Sequence, residues 1–330
     1  MSSFAVNLLK THVMELGSRV IGSTLRSTRE IHIGTLLYNC LELMFPIRRL
    51  CCQSNRIMAG VMKHVTDYTI HANRGSNHEA AGHSGRQGNH HSESSAVLVL
   101  LNYRLPRFTP LLWSQACLRV CADGGANRLY DELPQFFPRD DPSVVRLRHK
   151  PDVIKGDLDS IRADVRDYYE KLGTIIIDQS HDQETTDLHK CIRFIKESTP
   201  QLDKTLLKVL VVGALGGRFD HEAANINVLW TFANSLRIIL FSEESSLTLL
   251  PTGYVHEIHV DRSFEGPHCG LVPVGAPSLS TTSTGLYWNL DQTPMSFGSL
   301  ISTCNILDSD VVTVVSDVHL LWTTELRYEP

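Results

Sequence analysis

From Ala96 to about Phe241, short unbroken apolar runs alternate with stretches whose apolar positions recur at helical spacing. The runs are "AVLVLLN", "LRVCADGG", "DVIKGD", "GTIIID", "LLKVLVVGALGG" and "LRIILFS". Strands buried on both faces read this way, and the strand, helix, strand order predicts a mostly parallel sheet with helices on both faces, a Rossmann-like arrangement. Between the runs lie "IRADVRDYYEKLG" and "TTDLHKCIRFIKES". In the second, Leu188, Ile192 and Ile195 fall on one helical face, and Asp187 sits where a helix presents its positive end. After Phe241 the texture changes to short alternating runs broken by Gly, Pro and Ser, such as "SLTLLPTGYVHEIHV" and "DVVTVVSD". Residues 242–330 are therefore expected to form a separate all-β domain, a sandwich or jelly roll, behind an α/β domain at 96–241. Upstream, residues 74–95 are Gly, Ser, Asn and His with almost nothing to bury, which is a linker composition. Residues 1–73 show no repeating pattern and are read as an extension of unknown structure, with disorder one reading.

Composition narrows the function classes. The chain has 330 residues, of which 42% are hydrophobic, enough for real cores, and a formal net charge of −5. No basic field would draw a nucleic acid onto it, so none is expected as a partner. Eight cysteines are scattered, without a CxxC pair, which predicts reduced thiols in an intracellular protein. The most apolar N-terminal stretch, Ile31–Ile47, contains His32, Asn39 and Glu42 and is too short and polar to span a bilayer, so no membrane role is expected. His90 and His91 in the linker are read as part of a solvated tract.

In an open parallel sheet, ligands bind beyond the carboxyl ends of the strands. Here those ends are repeatedly acidic: Asp123 in "CADGGAN", Asp157 and Asp159 in "KGDLDS", Asp182, Glu184 and Asp187 in "DQETTD", and Asp220 in "GGRFDHE". One such Asp is an ordinary turn or cap residue; four acidic ends at one edge repel one another unless a cation sits among them. Oxygen-only ligands suit a hard divalent ion, here Mg²⁺. In an extended chain Asp157 and Asp159 share a face. Gly124 with Gly125, and Gly213 with Gly216 and Gly217, let a backbone approach a phosphate closely, and Arg218 adds a planar cationic fork. Neither glycine segment is a P-loop or a clean GxGxxG. The residues alone thus point to a magnesium and phosphate site on an α/β sheet.

The strings "CADGGANRLYD", "KGDLDSIRADVRDYY", "DQETTDLHKC", "LGGRFDHEAANINVL", "CGLVPVG", "TGLYWNL", "SFGSLISTCN" and "VVTV", in this order, closely resemble eukaryotic thiamin pyrophosphokinases from about Ala96 to Leu326. The resemblance implies pyrophosphoryl transfer from ATP to the hydroxyl of thiamine, an α/β domain followed by a β-sandwich, and homodimers with active sites at the subunit junction. It places the family's acidic positions on Asp123, Asp157, Asp159, Asp187 and Asp220, its arginine on Arg218, and its thiamine-contacting hydroxyl and tryptophan on Thr282 and Trp288. Asn127 joins the phosphate-binding set, and Gln183 and Asn227 the thiamine-binding set. Asp157, Asp159 and Asp187 are the metal candidates, directly or through water. Asp157, Asp187, Arg218 and Asp220 are the catalytic candidates, with Asp157 and Asp187 both open as acceptors of the hydroxyl proton.

One position departs from the family pattern, which has Asp where this chain has Glu184. The extra methylene would shift a directly bound metal by on the order of an ångström. Two competing readings remain at the level of sequence: a thiamine- or nucleotide-binding protein without turnover, and a phosphotransferase acting on a related alcohol. Lys10, Arg19, Arg26 and Arg29, with Ser and Thr between, fit a mitochondrial transit peptide; an unstructured extension or a start at Met58 or Met62 fits equally, and a cytoplasmic location is expected.

Overall fold

In the computed structural model, the structure describes residues 60–65, 95–199 and 207–328, all within one compact unit. The rest of the extension and linker, including the basic positions and the His90–His91 pair, lies outside the described residues. In chain order the elements are β1 (Gly60–Val65), β2 (Ala96–Leu100), α1 (Thr109–Gln115), β3 (Ala116–Ala122), α2 (Gly125–Glu132) and α3 (Pro142–Arg148). They continue with β4 (Val153–Gly156), α4 (Ala163–Lys171), β5 (Ile175–Asp178), α5 (Asp187–Ser198), β6 (Lys208–Val212), α6 (Phe219–Thr231) and β7 (Arg237–Phe241). The remaining strands are β8 (Ser245–Leu250), β9 (Tyr254–His259), β10 (Glu265–Val272), β11 (Ser278–Thr284), β12 (Thr293–Met295), β13 (Ser302–Ile306), β14 (Val311–Ser316) and β15 (Leu320–Leu326).

Strands β7, β6, β2, β3, β4 and β5 pair in parallel in that order. Period-two alternation sends their side chains into two cores. Leu98 and Leu100 of β2 pack with Leu112, Leu129, Val165 and Tyr169 of α1, α2 and α4. Val97 and Val99 pack with Leu188, Cys191, Ile192 and Ile195 of α5 and with Val228 and Leu229 of α6. Each fully buried aliphatic side chain contributes roughly 1.5–3 kcal/mol, so the two cores hold every strand end in place. Thr186 caps α5, its hydroxyl accepting from the His189 N–H, and this fixes where Asp187 begins the helix.

The expected α/β architecture with a following β-sandwich is what the chain forms, and one sheet runs through both parts. β8 pairs antiparallel with β7, and β15, β10 and β13 extend the same sheet to ten strands. A second sheet, in the order β1, β9, β14, β11, β12, faces it across a core of Ile258, Leu271, Met295, Val312, Val314 and Trp322. β1 comes from the segment read as an extension; its short run "GVMKHV" carries no strand signal without its partner β9, with which it pairs in parallel. No helix among the described residues is long and apolar enough to cross a membrane.

A buried histidine pair fastens β1. Nε2 of His256 lies 2.8 Å from the Pro251 carbonyl and must carry the proton, so His256 Nδ1 accepts from Nε2–H of His64, also 2.8 Å away. Burial favours the neutral form of both rings, and this assignment of donor and acceptor follows from that. Burial, reinforced by the charge of Arg237, holds His64 well below the ordinary value of 6.5 and His256 at about 4. Because the folded-state value is depressed, the contribution is complete above about 6.5 and is lost as pH falls toward about 4. Stability should fall by about 3 kcal/mol across that window from His256 alone. Urea midpoints against pH will show this, and a His64→Gln/His256→Gln variant should flatten the curve while the carboxylate contribution persists.

Candidate active site

The carboxyl ends of β2, β3, β4 and β6 and the N-termini of α5 and α6 surround a cleft of about 460 Å³. Three carboxylates meet there. Asp123, Asp157 and Asp187 each offer an oxygen within 4.8 Å of the others. Asp123 follows β3, is buried, and takes a left-handed φ of 42°. Its oxygens accept the N–H groups of Ser160 at 2.9 Å and Ile161 at 3.1 Å, which ties the loop after β4 to the end of β3. Burial raises its pKa, with repulsion from Asp187 and Asp157 adding and the two N–H bonds opposing. Asp187 is raised for the same reasons, burial first and Asp157 second.

Asp159 stands outside this cluster. Leu158 adopts φ 63°, so the chain turns at once after β4 and the extended alternation that would pair Asp157 with Asp159 does not occur. Asp159 is exposed, and its Oδ1 accepts from the Ser160 hydroxyl at 2.8 Å.

Lys190 is the residue that the motif reading passed over. It is 1% exposed, and its Nζ lies 3.3 Å from both Asp157 Oδ2 and Asp187 Oδ1. Burial by itself would lower its pKa; the two carboxylates outweigh that and raise it. The signal was available, since Lys190 follows Asp187 by one helical turn. Oδ1 of Asp157 is buried and has no hydrogen-bond partner. An orphaned carboxylate oxygen among oxygen-only donors is what a hard divalent cation fits.

The other predicted residues divide by position. Gly124, Gly213, Gly217 and Arg218 line the cleft. A Cβ on Gly125 would strike the Leu100 carbonyl, and one on Gly124 the Asn102 amide, so close approach to β2 is what these two glycines provide. Asn127 spends its amide on the loop: Nδ2 donates to the Ser160 carbonyl and Oδ1 accepts the Arg162 N–H. Tyr103 packs its ring against Gly216 and Gly217, and the Gly216 N–H donates to Glu222. Arg218, exposed at the mouth, pairs with Asp220, whose carboxyl this bond holds below the usual range.

Asp182 shapes the turn before α5. Bonds from the Thr185 hydroxyl and Arg193 hold its carboxyl well below the usual carboxylate range. Glu184 is exposed, is not among the cleft-lining residues and is not part of the carboxylate cluster. Gln183 donates to the Ser180 carbonyl, and Asn227 is exposed on α6. The asparagine of α6 that lines the cleft is Asn225, buried and donating to the Ala214 carbonyl. Asn102 and Tyr103 also line it; they follow β2, the one strand end whose residues are not acidic.

Thr282 and Trp288 lie in the sandwich. Thr282 accepts the Gln292 N–H, and Trp288 is 56% exposed, edge-on to Tyr287 at 4.7 Å. The buried tryptophan of the sandwich core is Trp322. Trp288 therefore serves no core, and among the described residues none of the sandwich lines the cleft.

Comparison with known proteins gives the same picture over most of the chain. Residues 109–240 match the family described as thiamin pyrophosphokinase, catalytic domain, and residues 255–321 match thiamin pyrophosphokinase, vitamin B1 binding domain. Thiamine pyrophosphokinase 1 of Oryza sativa subsp. japonica is 58% identical over 72% of this chain and 89% of its own length. Thiamine pyrophosphokinase 2 of Arabidopsis thaliana is 58% identical over 70% and 86%. Among solved structures, thiamin pyrophosphokinase from Candida albicans superposes with a TM-score of 0.61 at 26% identity, covering 71% of this chain and 90% of that one. With relatives this similar over more than two thirds of its length, the chain belongs to the thiamin pyrophosphokinase family.

Proposed function

We propose that this protein transfers the pyrophosphoryl group of ATP to the hydroxyl of thiamine, giving thiamine diphosphate and AMP. The observation that carries this is the carboxylate cluster at the ligand-binding edge of a chain matched by both family models. The hydroxyl oxygen attacks the β-phosphorus, the bond to the α-phosphate oxygen breaks, and AMP leaves with that oxygen. Such a transfer depends mainly on positioning and on neutralising phosphate charge. Asp157 and Asp187, with Asp123 behind them and Asp159 at the exposed rim, offer the oxygens for Mg²⁺, directly or through its waters. The ion would neutralise charge on the triphosphate. Arg218 at the mouth of the cleft meets the transferred group, and Asp157 or Asp187 takes the hydroxyl proton.

Thiamine is assigned to the exposed Trp288, whose ring face suits a flat cation, with Thr282 beside it on the sandwich. Since no described residue of the sandwich lines the cleft of the same chain, we assign a homodimer in which each cleft is completed at the subunit junction. The large apolar side chains exposed between residues 279 and 300, Leu279, Tyr287, Trp288, Phe297 and Leu300, support that surface. Incubation with Mg²⁺, ATP and thiamine should release AMP and thiamine diphosphate in equal amounts. Release of ADP would mean single phosphoryl transfer, and no turnover would leave a binding protein or a different alcohol.

A further inference from the structure

Lys190 is an exception on its own helix. The buried face of α5 is otherwise Leu188, Cys191, Ile192 and Ile195, yet Lys190 is buried to 1% exposure among them. Lysine usually keeps its ammonium in water by extending along the surface. Here the ammonium ends between Asp157 and Asp187 at 3.3 Å from each, and it does not line the cleft. A group that does not reach the cleft does not touch the reacting phosphate. Its effect must pass through the two carboxylates it holds.

We propose that Lys190 is a positioning residue, a built-in cation that keeps Asp157 and Asp187 together when no metal is bound and sets the charge the site presents to one. Three carboxylates and one ammonium leave a formal charge of −2, which a single divalent cation neutralises. Without the ammonium the cluster would repel itself and draw the cation harder. Lys190 thus holds the geometry while keeping metal affinity moderate. This rests on the metal reading above but not on the identity of the alcohol substrate.

The test uses the full chain, without nucleotide or thiamine. Mg²⁺ alone is titrated into wild type, Lys190→Met and Lys190→Arg by calorimetry, and Tm is measured in chelator and in Mg²⁺. Lys190→Met should bind Mg²⁺ at least about tenfold more tightly than wild type, because one opposing charge a few ångströms away is gone. Its rise in Tm on going from chelator to Mg²⁺ should exceed that of wild type, and Lys190→Arg should stay within about threefold of wild-type affinity. Equal affinities and equal Tm shifts in wild type and Lys190→Met would overturn the proposal. A variant that folds only in Mg²⁺ is the same result in its strongest form. If Lys190→Met folds in neither condition, Lys190→Met/Asp187→Asn, which removes one charge of each sign, should fold; its failure would show that Lys190 is needed for packing alone and would also overturn the proposal. Wild-type release of AMP, assayed separately, reports on the reaction and is independent of these readings.

Discussion

Asp157→Asn should lower kcat by roughly 1,000-fold while leaving the protein folded. The amide has the size and shape of the carboxylate, so packing around the end of β4 is preserved. What changes is charge: the cluster loses one of its three carboxylates, and Lys190 keeps only Asp187 as an anionic partner at 3.3 Å. The orphaned Oδ1 also loses its capacity to meet a cation as a full anion. Effects of this kind act on the transition state, where charge on the phosphates shifts, so the loss should fall on kcat more than on the KM for thiamine. AMP formation under saturating substrate, with Tm in parallel, measures both. A wild-type rate in a folded Asp157→Asn protein would remove Asp157 from the reaction.

The parallel strands were legible because burial on both faces leaves unbroken apolar runs, and each quoted run from "AVLVLLN" to "LRIILFS" became a strand, those of β2, β3, β4 and β6 ending at the cleft. The acidic strand ends were legible for the same topological reason. The composition of the cluster was less so. Alternation along an extended chain joins Asp157 to Asp159, and one residue, Leu158 at φ 63°, breaks that alternation and leaves Asp123 in the third place. A left-handed leucine has no sequence signal, since it is held by bonds from Ser160 and Ile161 to a carboxylate on another strand. β1 was hidden likewise, because its pairing depends on a strand about two hundred residues away. Lys190 was readable from its spacing to Asp187, yet buried lysines are rare enough that the helical pattern alone argued for solvent. Asn102 and Tyr103 were missed where the rule about strand ends was followed only to carboxylates.

Gly156→Ala should remove about as much activity as deleting a catalytic contact, although glycine has no side chain to contribute. Gly156 is the last residue of β4, directly before Asp157. A Cβ there would lie 2.7 Å from the Asp123 Cβ and 3.0 Å from Asp187 Oδ1. Both neighbours belong to the carboxylate cluster, and neither can yield freely. Asp123 is fixed by its own N–H to the Lys155 carbonyl at 3.0 Å and by the two bonds its carboxylate accepts; Asp187 is fixed at the start of α5 and by Lys190. Relief therefore comes from spreading β4 from β3 or from turning a carboxylate out of the cluster. Overpacking of this sort costs about 1–3 kcal/mol of stability, and a displacement near an ångström in positioned groups costs roughly 100-fold in rate. The two effects are separable: Tm records the first, and kcat measured well below that Tm records the second. Loss of stability with a wild-type kcat would mean that the strands absorb the methyl group while the carboxylates keep their places, and that their spacing is set from α5 and Lys190 instead of from the β4 backbone.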